Sequence, residues 1–158
     1  MKKNLLLTAI LLAAVIMSCT STGGAASGEP VVLQLIAADA ELVTEGQLQI
    51  EDANQNIGWW ASTDDQAKWT LDVPEDGEYT VLFTYSLDPE FPGSVVKLTV
   101  GDASIEYTCE DTGAWSTYTT REVGKMMLKK GSQPVVIQAV SIGNRFVMNL
   151  TTIKFMKD

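Results

Sequence analysis

The residues of this 158-residue chain with chemistry to offer are indoles, amides and carboxylates. It has four tryptophans and no histidine. Without histidine there is no Ser–His or Cys–His pair, no imidazole base and no histidine-bearing zinc site. Two carboxylates alone can hydrolyse a glycosidic bond, but they must converge from two elements about 5–10 Å apart. The clustered acids are Asp64/Asp65 and Glu110/Asp111, each pair adjacent in one polar loop. They read as solvated turn acids, so nothing positive points to catalysis. Cys109 sits in Glu106-Tyr107-Thr108-Cys109-Glu110-Asp111. Acidic neighbours disfavour its thiolate, and it reads as a core thiol at a strand end. Recognition is what remains: a flat indole face can stack on an apolar surface while an amide or acid beside it takes hydroxyls.

Those side chains need a scaffold, and the stretch Asn56 to Tyr85 organises it with three of the four tryptophans. In Lys68 to Val73 apolar and polar residues alternate, so Trp69, Leu71 and Val73 share one face of a half-buried strand. Pro74-Glu75-Asp76-Gly77 is a turn signal. Glu78 to Tyr85 alternates again, with Tyr79, Val81, Phe83 and Tyr85 on one side. The two runs are expected to form a hairpin that nucleates the core. Trp59 and Trp60 are adjacent, so on an extended chain one turns inward and the other outward.

Further strand-length runs cover 31–37, 47–50, 94–100, 103–108, 118–123, 125–128, 134–140 and 146–156, while 38–45 is a helical turn or an irregular edge. Polar loops occupy 51–55, 61–66, 86–93 (with Phe91), 110–116 (with Trp115) and 141–145. No helical period fits 68–73 or 78–85. The pattern predicts an all-β fold, an antiparallel β-sandwich of the jelly-roll kind.

The N-terminus carries an address. Lys2 and Lys3 precede an apolar run from Leu5 to Met17, too short for the ~20 residues of a membrane span and suited to a signal peptide. Ile16-Met17-Ser18-Cys19 resembles a bacterial lipobox, which implies cleavage after residue 18 and lipidation of Cys19. Residues 19–30 are small and polar, a tether about 18 Å long by random-coil scaling. Residues 31–158 then form one domain. The resemblance implies a lipid-anchored protein of the bacterial envelope, at the outer membrane, on a face the sequence leaves open. With a net charge of −9 the chain gains nothing from a phosphate backbone, so nucleic acid is not an expected partner.

Several short pieces, in order over residues 31 to 156, resemble a known group. They are Asn56-Ile57-Gly58-Trp59-Trp60, Val73-Pro74-x-x-Gly77-x-Tyr79, Thr112-Gly113-Ala114-Trp115, Leu128-x-x-Gly131 and Met148-Asn149-Leu150. Together they resemble carbohydrate-binding modules of the family 6 and family 35 type, which have a galactose-binding-domain-like sandwich. They are closer still to the noncatalytic sandwich domain appended to bacterial fucosidases and other glycan-degrading enzymes. The resemblance implies a sugar site in the loops at one end. Trp115 would be the stacking platform, Asn149 the hydroxyl-binding amide and Trp59 or Trp60 a second aromatic, with Asn56 and Glu51 as further polar contacts. Core packing is the competing role for each indole. No catalytic residue, resident cofactor or metal ligand is expected. A structural calcium between the first and last strands, known in such modules, finds no aspartate in Leu150-Thr151-Thr152-Ile153. The expected function is noncatalytic glycan binding near an enzyme or importer. The alternative is a structural or protein-interaction lipoprotein on the same scaffold without a sugar site. A small hydrolase would require two carboxylates facing across a cleft.

Overall fold

The computed structural model describes residues 30–157. The expected signal peptide, the expected lipidation site Cys19 and the expected tether up to residue 29 lie outside the described residues. The described chain folds into two antiparallel sheets facing each other, as the period-two pattern requires.

The first sheet has six strands: β1 (Val31–Ile36), β3 (Gln49–Glu51), β4 (Asn56–Gly58), β6 (Gly77–Ser86), β9 (Thr119–Leu128) and β11 (Asn149–Lys157). Their order is β3-β4-β11-β6-β9, with β1 also paired to β11. The second sheet holds β2 (Glu41–Val43), β5 (Gln66–Val73), β7 (Val95–Val100), β8 (Ala103–Thr108) and β10 (Gly131–Ser141), ordered β2-β5-β10-β7-β8. A 3-10 turn at Ala37–Asp39 passes the chain from one sheet to the other.

Alternation along each strand builds the core between the sheets. Tyr79, Val81, Phe83 and Tyr85 of β6 are fully buried, facing Leu71 and Val73 of β5 and Val135 and Ile137 of β10. Burying a side chain such as Phe83 contributes about 1.5–3 kcal/mol. Among the described residues Asp65 Oδ2 and Arg121 Nε are buried without a partner, whereas the Tyr79 and Trp69 donors are paired. Tyr79 donates from its hydroxyl to the Glu75 carbonyl at 3.0 Å, and the Trp69 indole donates to the Ile36 carbonyl at 2.9 Å.

Two expectations are corrected. The runs on either side of Pro74–Gly77 do not form a hairpin. Strand β5 pairs with β2 and β10, and β6 with β11 and β9, so the turn is an arch between sheets. Period two fixes which face is buried, and both faces here are buried against each other across the sandwich rather than side by side. The arch is tied down by the Lys157 ammonium, which donates to the Glu75 carboxylate at 2.8 Å and to the Asp76 carbonyl at 2.9 Å. Secondly, 118–123 and 125–128 are one strand, β9, with a bulge. Val81 faces Gly124 and Leu82 faces Glu122, leaving Val123 unpaired.

Candidate functional site

Successive strands reverse direction, so the connections after β4, β6, β8 and β10 collect at one end of the sandwich. They carry Trp59 with Trp60, Phe91, Trp115 and Phe146 respectively. Hydrogen bonds stitch these loops together. The buried Ser94 hydroxyl accepts from the Gly143 N–H at 3.1 Å and donates to the Phe146 carbonyl at 3.2 Å. The Asn144 amide donates to the Glu90 carbonyl at 2.7 Å. Gly143 allows this approach: a Cβ there would stand 2.6 Å from the Pro92 carbonyl oxygen. The Ser86 hydroxyl donates to the Trp115 carbonyl at 2.7 Å. Beneath the same loop the Tyr85 hydroxyl contacts both the Tyr107 hydroxyl and the Glu110 carbonyl at 2.9 Å. Burial first, then the Tyr107 hydrogen bond, holds Tyr85 well above the usual phenol range. Burial likewise raises Tyr107. Both stay protonated as donors.

The loops enclose a cleft of about 260 Å³ lined by Glu51, Trp59, Trp60, Trp115, Phe146, Met148 and Asn149. Phe146 is its aromatic hub. The Trp59 ring meets it at 6.0 Å and 88°, Trp115 at 6.2 Å and 85°, and Phe91 at 5.6 Å and 67°. Phe91 also lies 5.5 Å from Trp115 at a shallow 37°. Trp59 is 46% exposed while Trp60 is 1% exposed, so the adjacent indoles do divide between solvent and core. The reason differs from simple extension. Trp59 adopts φ 55°, a left-handed conformation that costs a bulky residue about 1–2 kcal/mol. It turns one indole out while the next goes under. Trp60 donates its indole N–H to the Ser62 carbonyl at 3.2 Å and accepts on its own carbonyl from Val147. Its ring therefore supports the cleft from below. Among the described residues, the indole N–H groups of Trp59 and Trp115 and the carboxamide of Asn149 have no protein hydrogen-bond partner.

The acid of the cleft is set by a short hairpin. Glu51 ends β3 and pairs with Asn56, which opens β4. The Asn56 amide donates to Glu51 Oε2 at 2.6 Å, and its own oxygen accepts from the Tyr118 hydroxyl at 3.2 Å. Gly58 leaves the room: a Cβ there would stand 2.6 Å from the Glu51 carboxyl carbon. The spacing Glu51…Asn56…Gly58 thus fixes one carboxylate at the cleft edge.

No family model matches the chain, and no curated protein matches it. Solved structures do. A family 35 carbohydrate-binding module from Clostridium thermocellum superposes with a TM-score of 0.64 at 19% identity, over 80% of this chain and 97% of that one. The C-terminal family 6 module of a marine laminarinase from Zobellia galactanivorans gives 0.63 at 16%, over 80% and 100%. A family 6 module of Cellvibrio mixtus lichenase 5A, solved with cellotriose, gives 0.61 at 20%, over 80% and 97%. The fold is that of family 35 and family 6 carbohydrate-binding modules.

Five of the six candidate site residues line the one cleft: Trp115, Asn149, Trp59, Trp60 and Glu51. Asn56 does not. It is fully buried, and its amide and oxygen are taken by Glu51 and Tyr118, so in this structure it holds the acid from behind the cleft. Phe146, Met148 and Phe91 complete the cleft region without having been singled out from sequence. Phe146 follows the strained Arg145, at φ 62°, and precedes the last strand instead of belonging to it. The acid pairs also divide. Glu110 is exposed and pairs with Arg121 at 2.8 Å, whereas Asp65 is buried and accepts from the Thr44 hydroxyl, which corrects its reading as a solvated turn acid. Cys109 is buried, and burial pushes its thiol up to about 12. Among the described residues no three His, Cys, Asp or Glu side chains gather to hold a metal ion.

Proposed function

We propose that this cleft binds carbohydrate without cleaving it, in a protein anchored to the bacterial envelope through lipid on Cys19. The observation that carries the reading is the cleft's composition. Aromatic rings share one cavity with the Asn149 amide and the Glu51 carboxylate, and among the described residues neither the Trp59 and Trp115 indole N–H groups nor that amide has a hydrogen-bond partner. Sugars need that combination, with ring faces for C–H surfaces and amide or acid for hydroxyls. The left-handed backbone at Trp59 is a local cost retained while its indole stays half in water, as strain at functional positions is. The volume falls just under the roughly 300–1,000 Å³ of drug-sized sites, which suits a short glycan segment. Glu51 is the sole carboxylate among the residues lining the cleft. Glycoside hydrolysis takes a facing pair, which supports binding over catalysis.

The lipobox-like Ile16-Met17-Ser18-Cys19 and the short tether support a site held close to the outer membrane, delivering glycan to a glycan-degrading enzyme or an importer. The test is a glycan array probed with the full chain, alongside membrane fractionation of Cys19→Ala. Retention on a subset of glycans, lost in Trp115→Ala, is expected, with Cys19→Ala released to the soluble fraction. If no glycan is retained, the binding reading fails. If Cys19→Ala stays with membranes, the anchor does.

A further inference from the structure

We propose that the cleft selects sugars carrying a protonated amine, the chemistry of a deacetylated amino-sugar unit. This rests on the carbohydrate reading above and names the class within it. The argument starts from an unbalanced charge. Glu51 is half-buried at the cleft, and its carboxylate is held by the neutral amide of Asn56. It takes part in none of the ion pairs among the described residues, which join Arg121 to Glu110, Lys125 to Glu78, Lys129 to Asp102 and Lys157 to Glu75. Among the described residues no lysine or arginine lines the cleft. A bound ligand strips water from this carboxylate. A neutral hydroxyl returns a hydrogen bond to it, whereas an ammonium returns a hydrogen bond and the missing charge.

The walls favour the same sign. Trp59 and Trp115 each stand nearly perpendicular to Phe146, at 88° and 85°. The cavity is therefore bounded by π systems in crossed planes, and the face of each ring attracts cations. Phe146 already engages the Arg145 guanidinium, whose carbon sits 4.9 Å from its centroid, so the rings left for a ligand cation are those of Trp59 and Trp115. A uronic acid would instead bring a second anion against Glu51 and is expected to be rejected.

Calorimetric titration of the full chain with the β-1,4-linked trimers of glucosamine, N-acetylglucosamine and glucose at slightly acidic pH tests this. The glucosamine trimer should bind about tenfold tighter than either neutral trimer, a difference of about 1.4 kcal/mol. Glu51→Gln should bring the ratio close to one. Glu78→Gln removes a carboxylate far from the cleft and should leave the ratio as it was. Neutral trimers binding as tightly as glucosamine, in the wild-type chain, overturn amine selection while the carbohydrate reading stands. A ratio lowered equally by Glu78→Gln also overturns it, because the preference would then come from the overall negative charge. If neither the trimers nor any array glycan binds, both readings fall.

Discussion

Replacing Gly58 with alanine moves the Glu51 carboxylate without altering it chemically. A Cβ at position 58 would stand 2.6 Å from the Glu51 carboxyl carbon and 3.0 Å from Asn56 Nδ2. Carbon contacts settle near 3.5–4.0 Å, so the carboxyl group must retreat by roughly an ångström. It is the end of a flexible side chain bordering an open cleft, so it can. The retreat breaks the 2.6 Å hydrogen bond from Asn56, and a hydrogen bond to a charged group is worth about 1.5–3 kcal/mol. Much of that loss is recovered, because the displaced acid gains water and alanine lowers the entropy of the unfolded chain by about 0.4–1 kcal/mol. The net stability change should stay near 1 kcal/mol. Ligand affinity has no such relief, since the acid now misses its partner. A drop of about tenfold or more is expected from losing one charge-assisted hydrogen bond. Calorimetry with a glycan found on the array reads the affinity, and urea denaturation reads the stability. The double variant Gly58→Ala with Glu51→Gln should bind no worse than the weaker of the two single variants, because both act on one interaction. Additive losses, or unchanged affinity in Gly58→Ala, would refute the claim that Gly58 works through Glu51.

Two further outcomes are expected. Trp59→Gly removes an indole that is 46% exposed and a φ of 55° that glycine adopts freely. Relief of about 1–2 kcal/mol is offset by glycine's entropy and the lost Phe146 edge contact, so the stability should stay near wild type while glycan retention in affinity electrophoresis disappears; full retention removes Trp59 from the site. Cys109 has its thiol raised from 9.0 to about 12 by burial, so the folded state favours the protonated form. Its contribution is complete below pH 9 and declines as pH rises from 9 to 12, by about 1.4 kcal/mol per pH unit. Urea unfolding across that range should show a shallower alkaline decline in Cys109→Ala than in wild type; parallel curves would acquit the thiol.

The difference between what was legible and what was not has a physical basis. Alternation in 68–73 and 79–85 reveals which side chains leave water, because burial depends on the pleat alone. It says nothing about which edge a strand pairs along, and the Pro74–Gly77 turn accordingly looked like a hairpin when it is an arch. Glu51 and Asn56 are legible as separate polar candidates, while their meeting beside Gly58 follows from one tight hairpin. An amide beside tryptophans suits hydroxyls, which is what composition shows of Asn56; its hydrogen bond to Glu51 is set by strand register, which composition does not encode. Phe91 and Phe146 are 55 residues apart in the chain and become neighbours at 5.6 Å because Ser94 and Gly143 join two loops from different sheets. Loop-to-loop contacts of that kind follow from the topology, which returns four connections to one end. The period-two pattern dictates the sandwich, the sandwich gathers the loops, and the gathering brings Trp59, Trp115, Phe146 and Glu51 into one cleft. The chemistry of the site is therefore a consequence of connectivity as much as of composition, and a variant that loosens the Ser94–Gly143 junction should disturb the cleft before it disturbs the core.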